Sequence, residues 1–209
     1  MDSIKIFQLE KNSDDIRKTV ITNIVKMLTE RNLMSSDKVK ENIDKLVSTV
    51  TEDNTYKIDI LPNYRDSDDT KMIIKIFTYK ITSISKQSII TEFLMKYKNV
   101  PKIIVVKDIS SKTRQIITGN FPKTELFLES ELMINLIDNI LAPRYEILDH
   151  ETDEFKNFCE TYQCKKRNIP KLFSTDPMAR YYNLRKGDIV RVIQPSETTG
   201  YTAFYRIVV

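Results

Sequence analysis

Apolar positions near the start of the chain recur at helical spacing. Ile16, Val20, Ile24, Met27 and Leu28, with Ile21 and Val25 alongside, follow Asn12-Ser13-Asp14-Asp15 and predict a helix over 12–31. The two acids lie where they oppose the positive end of a helix dipole. Val39, Ile43, Leu46, Val47 and Val50 predict a second helix over 33–50, capped by Ser35-Ser36-Asp37. Both stripes read as core-facing. From Tyr56 the period changes: Tyr56, Ile58 and Ile60 alternate with Lys57 and Asp59, the pattern of a half-buried strand. A strand over 72–79 and a helix over 84–97 follow, the latter turning Ile89, Ile90, Phe93, Leu94 and Tyr97 inward. Ile103 to Val106 is an unbroken apolar run, as in a strand covered on both faces. A helix restarts after Asp108 and spans 112–118. A strand over 121–128 comes next, then an amphipathic helix over 129–141 through Leu132, Met133, Leu136, Ile137 and Ile140.

Pro143 marks a boundary, dividing the chain into domains 1–141 and 142–209. Beyond it, Phe155, Phe158 and Cys159 lie on a predicted helix over 151–162. Asp176 is an N-cap followed by Pro177, where the missing N–H costs nothing, and a short helix runs to Asn183. Arg185-Lys186-Gly187-Asp188 reads as a turn with Gly187 supplying positive φ. Ile189 to Ile193 is a strand, Pro195 to Gly200 a hairpin loop, and Tyr201 to Val209 the returning strand. The expected class is α+β: N-terminal helices with an α/β sheet, then a small mixed-sheet domain.

Composition narrows the function. Of 209 residues, 41% are hydrophobic and 30% charged, with a net charge of only +4, so the chain is no polycation. No apolar run approaches the ~20 residues of a membrane span, and Met1 to Glu10 lacks the pattern of a signal peptide. Cys159 and Cys164 have no second pair, so reduced thiols are expected rather than zinc, and His150 cannot build a metal cluster alone. The richness in Ile, Lys, Asn and Thr, with three glycines, fits an A/T-biased genome.

A search for catalytic constellations leaves none, and neither metal nor cofactor is expected. Phosphate-loop and dinucleotide motifs are absent, as is a nucleophile elbow. His150 beside Asp149 and Glu151 reads as a solvated loop residue, and Asp66, Asp68 and Asp69 as a solvated turn. A metal-dependent nuclease needs an acid two residues before a strand lysine; Ile73-Ile74-Lys75 has the lysine alone.

Binding surfaces are more plausible. Between Lys165 and Arg191 eight basic residues stand against Asp176 and Asp188, a local charge of +6. These charges are interleaved with turns rather than base-stacking aromatics, which favours docking to a protein over nucleic acid. A second candidate is the helix start after Val106, where Ser110 and Ser111 sit among Lys107, Lys112 and Arg114. A helix N-terminus with nearby cations suits phosphate, although an ordinary capped helix is the plainer reading.

The C-terminal stretch resembles a known family. Asp176-Pro177-Met178-Ala179-Arg180-Tyr181, the Gly187 turn, Pro195-Ser196-Glu197-Thr198-Thr199-Gly200 and Tyr205-Arg206 are similar to the C-terminal signature of subunit five of the eukaryotic nuclear RNA polymerases and of its archaeal counterpart. The similarity is dense from Leu141 to Val209; from Met1 to Ile140 it is one of element order. Asn139 and Tyr145 stand near positions where the family's linker carries histidines. The resemblance implies a non-catalytic subunit of a multisubunit DNA-directed RNA polymerase. It implies that the N-terminal part is a jaw gripping downstream duplex DNA weakly and without sequence preference. The loop at Lys107, Ser110, Ser111, Lys112 and Arg114 would then face the DNA. It implies that Asp176, Pro177, Arg180, Tyr181, Gly187, Arg191, Ser196, Glu197, Thr198 and Arg206 shape a surface docking the largest subunit. Other polymerase subunits and transcription initiation factors are further expected partners, and a membrane is not. The N-terminal part argues for a eukaryotic-type member, with a copy from a large DNA virus standing beside a cellular one. The expected location is the nucleus in the first case, the virion or cytoplasmic viral factory in the second. Rival readings are a free-standing nuclease and an adaptor for transcription factors without a polymerase.

Overall fold

The computed structural model describes residues 12–49, 53–61, 70–82, 88–139, 142–148, 153–162 and 166–209. The acidic loop with Asp66, Asp68 and Asp69, the beginning of the helix expected from Ile84, His150 and Cys164 all lie outside them. The chain forms two compact units, Met1–Ile134 and Asn135–Val209. Asn135 lies in the second unit, where its buried side chain accepts a hydrogen bond from Tyr181 Oη at 2.9 Å.

In the first unit, helix α1 (Ser13–Glu30) buries Val20, Ile21, Ile24, Val25, Met27 and Leu28 completely. It ends at Asn32, which takes a left-handed φ of 58°. Leu33 N–H then donates to Leu28 C=O at 3.0 Å and Asn32 N–H to Thr29 C=O at 2.9 Å, satisfying carbonyls the helix end would otherwise orphan. A 3-10 turn (Ser36–Lys38) leads into α2 (Val39–Ser48), whose stripe is only half-buried apart from Leu46. Strands β1 (Thr55–Asp59), β2 (Lys71–Ile81), β3 (Lys102–Ile109) and β4 (Thr124–Leu128) form one sheet in that order. β1 pairs antiparallel with β2, whereas β2, β3 and β4 are parallel. Parallel neighbours need crossovers, supplied by α3 (Ile89–Lys96) and α4 (Ser111–Asn120). Ile90, Phe93 and Leu94 of α3 and Ile117 of α4 join Ile73, Phe77, Ile104, Val106 and Leu126 in one core. Ile89, expected inward, is 62% exposed: it is the first residue of α3, just after the Ser88 cap.

The helix expected over 129–141 does not run through. α5 (Glu129–Leu132) is a single turn, followed by a 3-10 turn (Leu136–Asp138). Asn135 adopts an extended conformation between them and donates to Asp138 Oδ1 at 2.8 Å. Asparagine competes with the helix in this way by bonding nearby groups itself.

The second unit is a four-stranded sheet in the order β5-β7-β8-β6. β5 (Arg144–Leu148) occupies a stretch read from sequence as linker. Helix α6 (Asp153–Tyr162) precedes the two-residue β6 (Lys171–Leu172). Helix α7 (Pro177–Tyr181) precedes β7 (Ile189–Ser196) and β8 (Gly200–Val208). The hairpin is tighter than the expected Pro195–Gly200 loop, since Ser196 already pairs with Gly200. Leu148, Phe158, Ile169 and Ile189 form a core beneath α6.

Candidate functional site

The start of α4 is built by capping. Ser110 accepts from Thr113 N–H at 3.3 Å, and its hydroxyl lies 2.8 Å from Thr113 Oγ1 and donates to Thr82 C=O at 3.0 Å. Thr113 Oγ1 also donates to Thr82 C=O at 3.1 Å, tying the helix start to the end of β2. Ser110 is therefore a structural cap, and helix geometry turns the N–H groups of Ser111 and Lys112 outward. Ser111 and Lys112 are exposed and Arg114 half-buried. Lys107 is exposed too, but strand residues alternate, so it leaves the sheet opposite Val106, which shares its core with Ile117 of α4. The structure thus gathers four of the five expected residues and sets Lys107 apart. Beside them Asp108 accepts an ion pair from Lys80 at 2.5 Å. That contact, with the Ile109 N–H, holds the Asp108 carboxyl below its ordinary range.

Lys75 is buried. Its ammonium donates to Asp53 C=O and to Thr55 Oγ1 at 2.9 Å, and lies 5.5 Å from the Phe77 ring centroid. These contacts hold β2 against β1, and among the described residues no group of three or more His, Cys, Asp or Glu is placed to hold a metal ion. Burial lowers the Lys75 pKa, partly offset by Asp53.

In the second unit, the expected docking residues divide into those that hold shape and those that face out. Asp176 Oδ1 accepts from Met178 N–H at 2.8 Å and caps α7, with Pro177 in the first helical turn. Tyr181 is buried against Asn135. Gly187 has φ 96° and donates its N–H to Val208 C=O at 2.9 Å, closing the turn onto β8. Arg191 Nε donates to Glu146 Oε2 at 2.8 Å across β5 and β7. Ser196 Oγ lies 3.2 Å from Thr198 Oγ1 in the hairpin. Pro177, Glu197, Thr198 and Arg206 are exposed, and Arg180 is half-buried in the last turn of α7.

Sequence reasoning missed the exposed large apolar side chains of this unit: Phe173, Tyr201 and Phe204 are 67%, 74% and 46% exposed. The available signal was the single charge in the nine residues of β8.

Residues 134–208 match the family model of the RNA polymerase Rpb5 C-terminal domain, which gives the class of the second unit. The relationship extends beyond it. The chain is 32% identical over 98% of its length to the DNA-directed RNA polymerase subunit 5 of Acanthamoeba polyphaga mimivirus, covering 97% of that protein. It is 34% identical to the RPABC1 subunit of RNA polymerases I, II and III of Caenorhabditis briggsae, over 68% of this chain and 63% of that one. The Dictyostelium discoideum counterpart is 36% identical over 41% of this chain and 42% of its own. The chain belongs to the family of DNA-directed RNA polymerase subunit 5.

Proposed function

We propose that the chain is a non-catalytic subunit of a multisubunit DNA-directed RNA polymerase. The observation that carries this reading is the end-to-end relationship to a polymerase subunit 5 at 32% identity. In this reading residues 142–209 are an assembly module docking on the largest subunit, and residues 1–141 a jaw beside downstream DNA. The capped α7, the Gly187 turn and the short hairpin support the first role, because they fix the shape of a basic, partly apolar surface. The cations about the α4 start support the second, since phosphate contacts steer and position DNA without reading its sequence. The protein acts in the nucleus if its polymerase is cellular, and in the virion or viral factory if it is viral.

Affinity purification of the full chain tests the reading. A largest polymerase subunit is expected in stoichiometric amount; its absence overturns the proposal and favours an adaptor. Removing Ser174–Val209 is expected to abolish assembly. Lys112→Glu with Arg114→Glu is expected to weaken crosslinking to downstream DNA while assembly persists, and unchanged crosslinking defeats the jaw contact.

A further inference from the structure

Among the described residues, no strand pairs with the outer side of β8 ahead of Ile207. Among the described residues, β6 pairs with β8 only at Ile207 and Val208, whereas β7 pairs along its length to Gly200. Ile207 N–H donates to Pro170 C=O on the β6 side, and Val208 N–H donates to Asp188 C=O on the β7 side. Backbone directions alternate along a strand, so the N–H and C=O of Tyr201 and Ala203 turn away from β7, as those of Ile207 do, with the Tyr201 C=O accepting from Thr199 Oγ1 at 3.3 Å within the hairpin.

Proteins usually blunt such edges with charge, proline or a bulge. β8 reads Gly-Tyr-Thr-Ala-Phe-Tyr-Arg-Ile-Val, with one charge and no proline, and its register with β7 is unbroken. The edge opens on a groove of about 390 Å³ lined by Phe158, Ile169, Pro170, Ala203 and Phe204. Of the segments bordering it, 166–175 and 200–209 carry Lys166, Arg167, Lys171 and Arg206 and no aspartate or glutamate, while α6, which contributes Phe158, carries Lys156 with Asp153, Glu154 and Glu160.

We infer that this edge receives an extended, acidic segment of a partner polypeptide as an added strand. Main-chain hydrogen bonds at Tyr201 and Ala203 hold it, alternate side chains enter the groove, and its acids meet Arg206 and Lys171. The added strand is the partner's contribution to the docking proposed above, and the inference rests on that reading.

The test uses the full chain, free and in the purified polymerase assembly. Amide hydrogen exchange at Tyr201 and Ala203 is expected to be fast in the free monomer and at least about tenfold slower in the assembly. Ala203→Pro removes one outward N–H while sparing the ladder to β7. It is expected to keep the melting temperature and weaken assembly about tenfold, the scale of one lost hydrogen bond. Lys171→Glu with Arg206→Glu is expected to weaken assembly and flatten its salt dependence. If the assembly forms but exchange at both amides is unchanged, the added strand is wrong and the polymerase reading stands. If no polymerase subunit assembles with the wild-type chain, both fail. Protection already present in the free monomer means that the chain covers its own edge. Protection growing with concentration means that a second copy does, and either result overturns the inference.

Discussion

β3 and β8 are similar in length and apolar character, yet they end in opposite surroundings. From Lys102 to Val106 every residue of β3 is buried, whereas β8 buries only Val208 completely. Their neighbours make the difference. β3 runs between two parallel strands under helices, while β8 has a full partner on one side and a two-residue strand on the other. Hydrophobicity alone therefore does not tell a core strand from a strand paired in full on one side only; pairing does.

The sharpest break of this comparison is truncation in the two strands. Ile104→Ala in β3 is expected to cost about 4 kcal/mol, as for a large side chain removed from a packed core. Phe204→Ala in β8 is expected to stay within about 1 kcal/mol because the ring is half in water. Urea denaturation measures both, and equal losses erase the distinction. Next is Arg31, whose guanidinium pairs with Glu125 at 2.8 Å and is nearly buried. Arg31→Met takes the guanidinium away from the Glu125 carboxylate, at a cost of about 3 kcal/mol. A stability like that of wild type refutes the pairing as a structural bond.

Lys102 tests the same interior through pH. Its ammonium is buried, donating to Tyr97 C=O at 2.7 Å and Val100 C=O at 3.1 Å near the end of α3. Burial, helped by the charge of Lys123, lowers its pKa to about 8 from 10.5. Below pH 8 the lysine is charged in both states and its burial penalty is fully present. Between pH 8 and 10.5 the unfolded chain holds the proton and the folded chain has lost it, so this group's contribution to stability rises with pH. The rise is expected to vanish in Lys102→Met, and an identical pH profile rejects the shift. The smallest effect is Tyr181→Phe, which removes a buried hydrogen bond to Asn135 and is expected to cost about 1 kcal/mol. No change in the urea midpoint rejects that bond.

Much of the fold was legible where local chemistry decides it. The cap at Asp176, the α1 stripe and the β3 run follow from residue types over a few positions. What escaped depends on long-range pairing. β5 becomes a strand because β7 lies beside it, with Arg191 meeting Glu146 45 residues away. The 129–141 pattern has helical spacing throughout, yet Asn135 stops it with bonds to Asp138 and Tyr181, the latter 46 residues distant. At the candidate sites the cations could be read from sequence. Which of them share a face, and which strand is paired in full on one side only among the described residues, could not, because both depend on how the strands are ordered.

The left-handed asparagine that closes α1 has a counterpart at the end of α7. Asn183 has φ 50° and donates its N–H to Arg180 C=O at 3.0 Å, while Leu184 N–H donates to Ala179 C=O at 2.8 Å. Helix ends of this form usually carry glycine, which this chain contains only three times. Where asparagine holds that angle, glycine or aspartate can replace it, but valine or isoleucine meets a steric penalty. Asn32 is exposed, so drift there is limited by backbone shape rather than by any contact its side chain makes. A surface position of this kind can therefore be intolerant of substitution without belonging to a binding site.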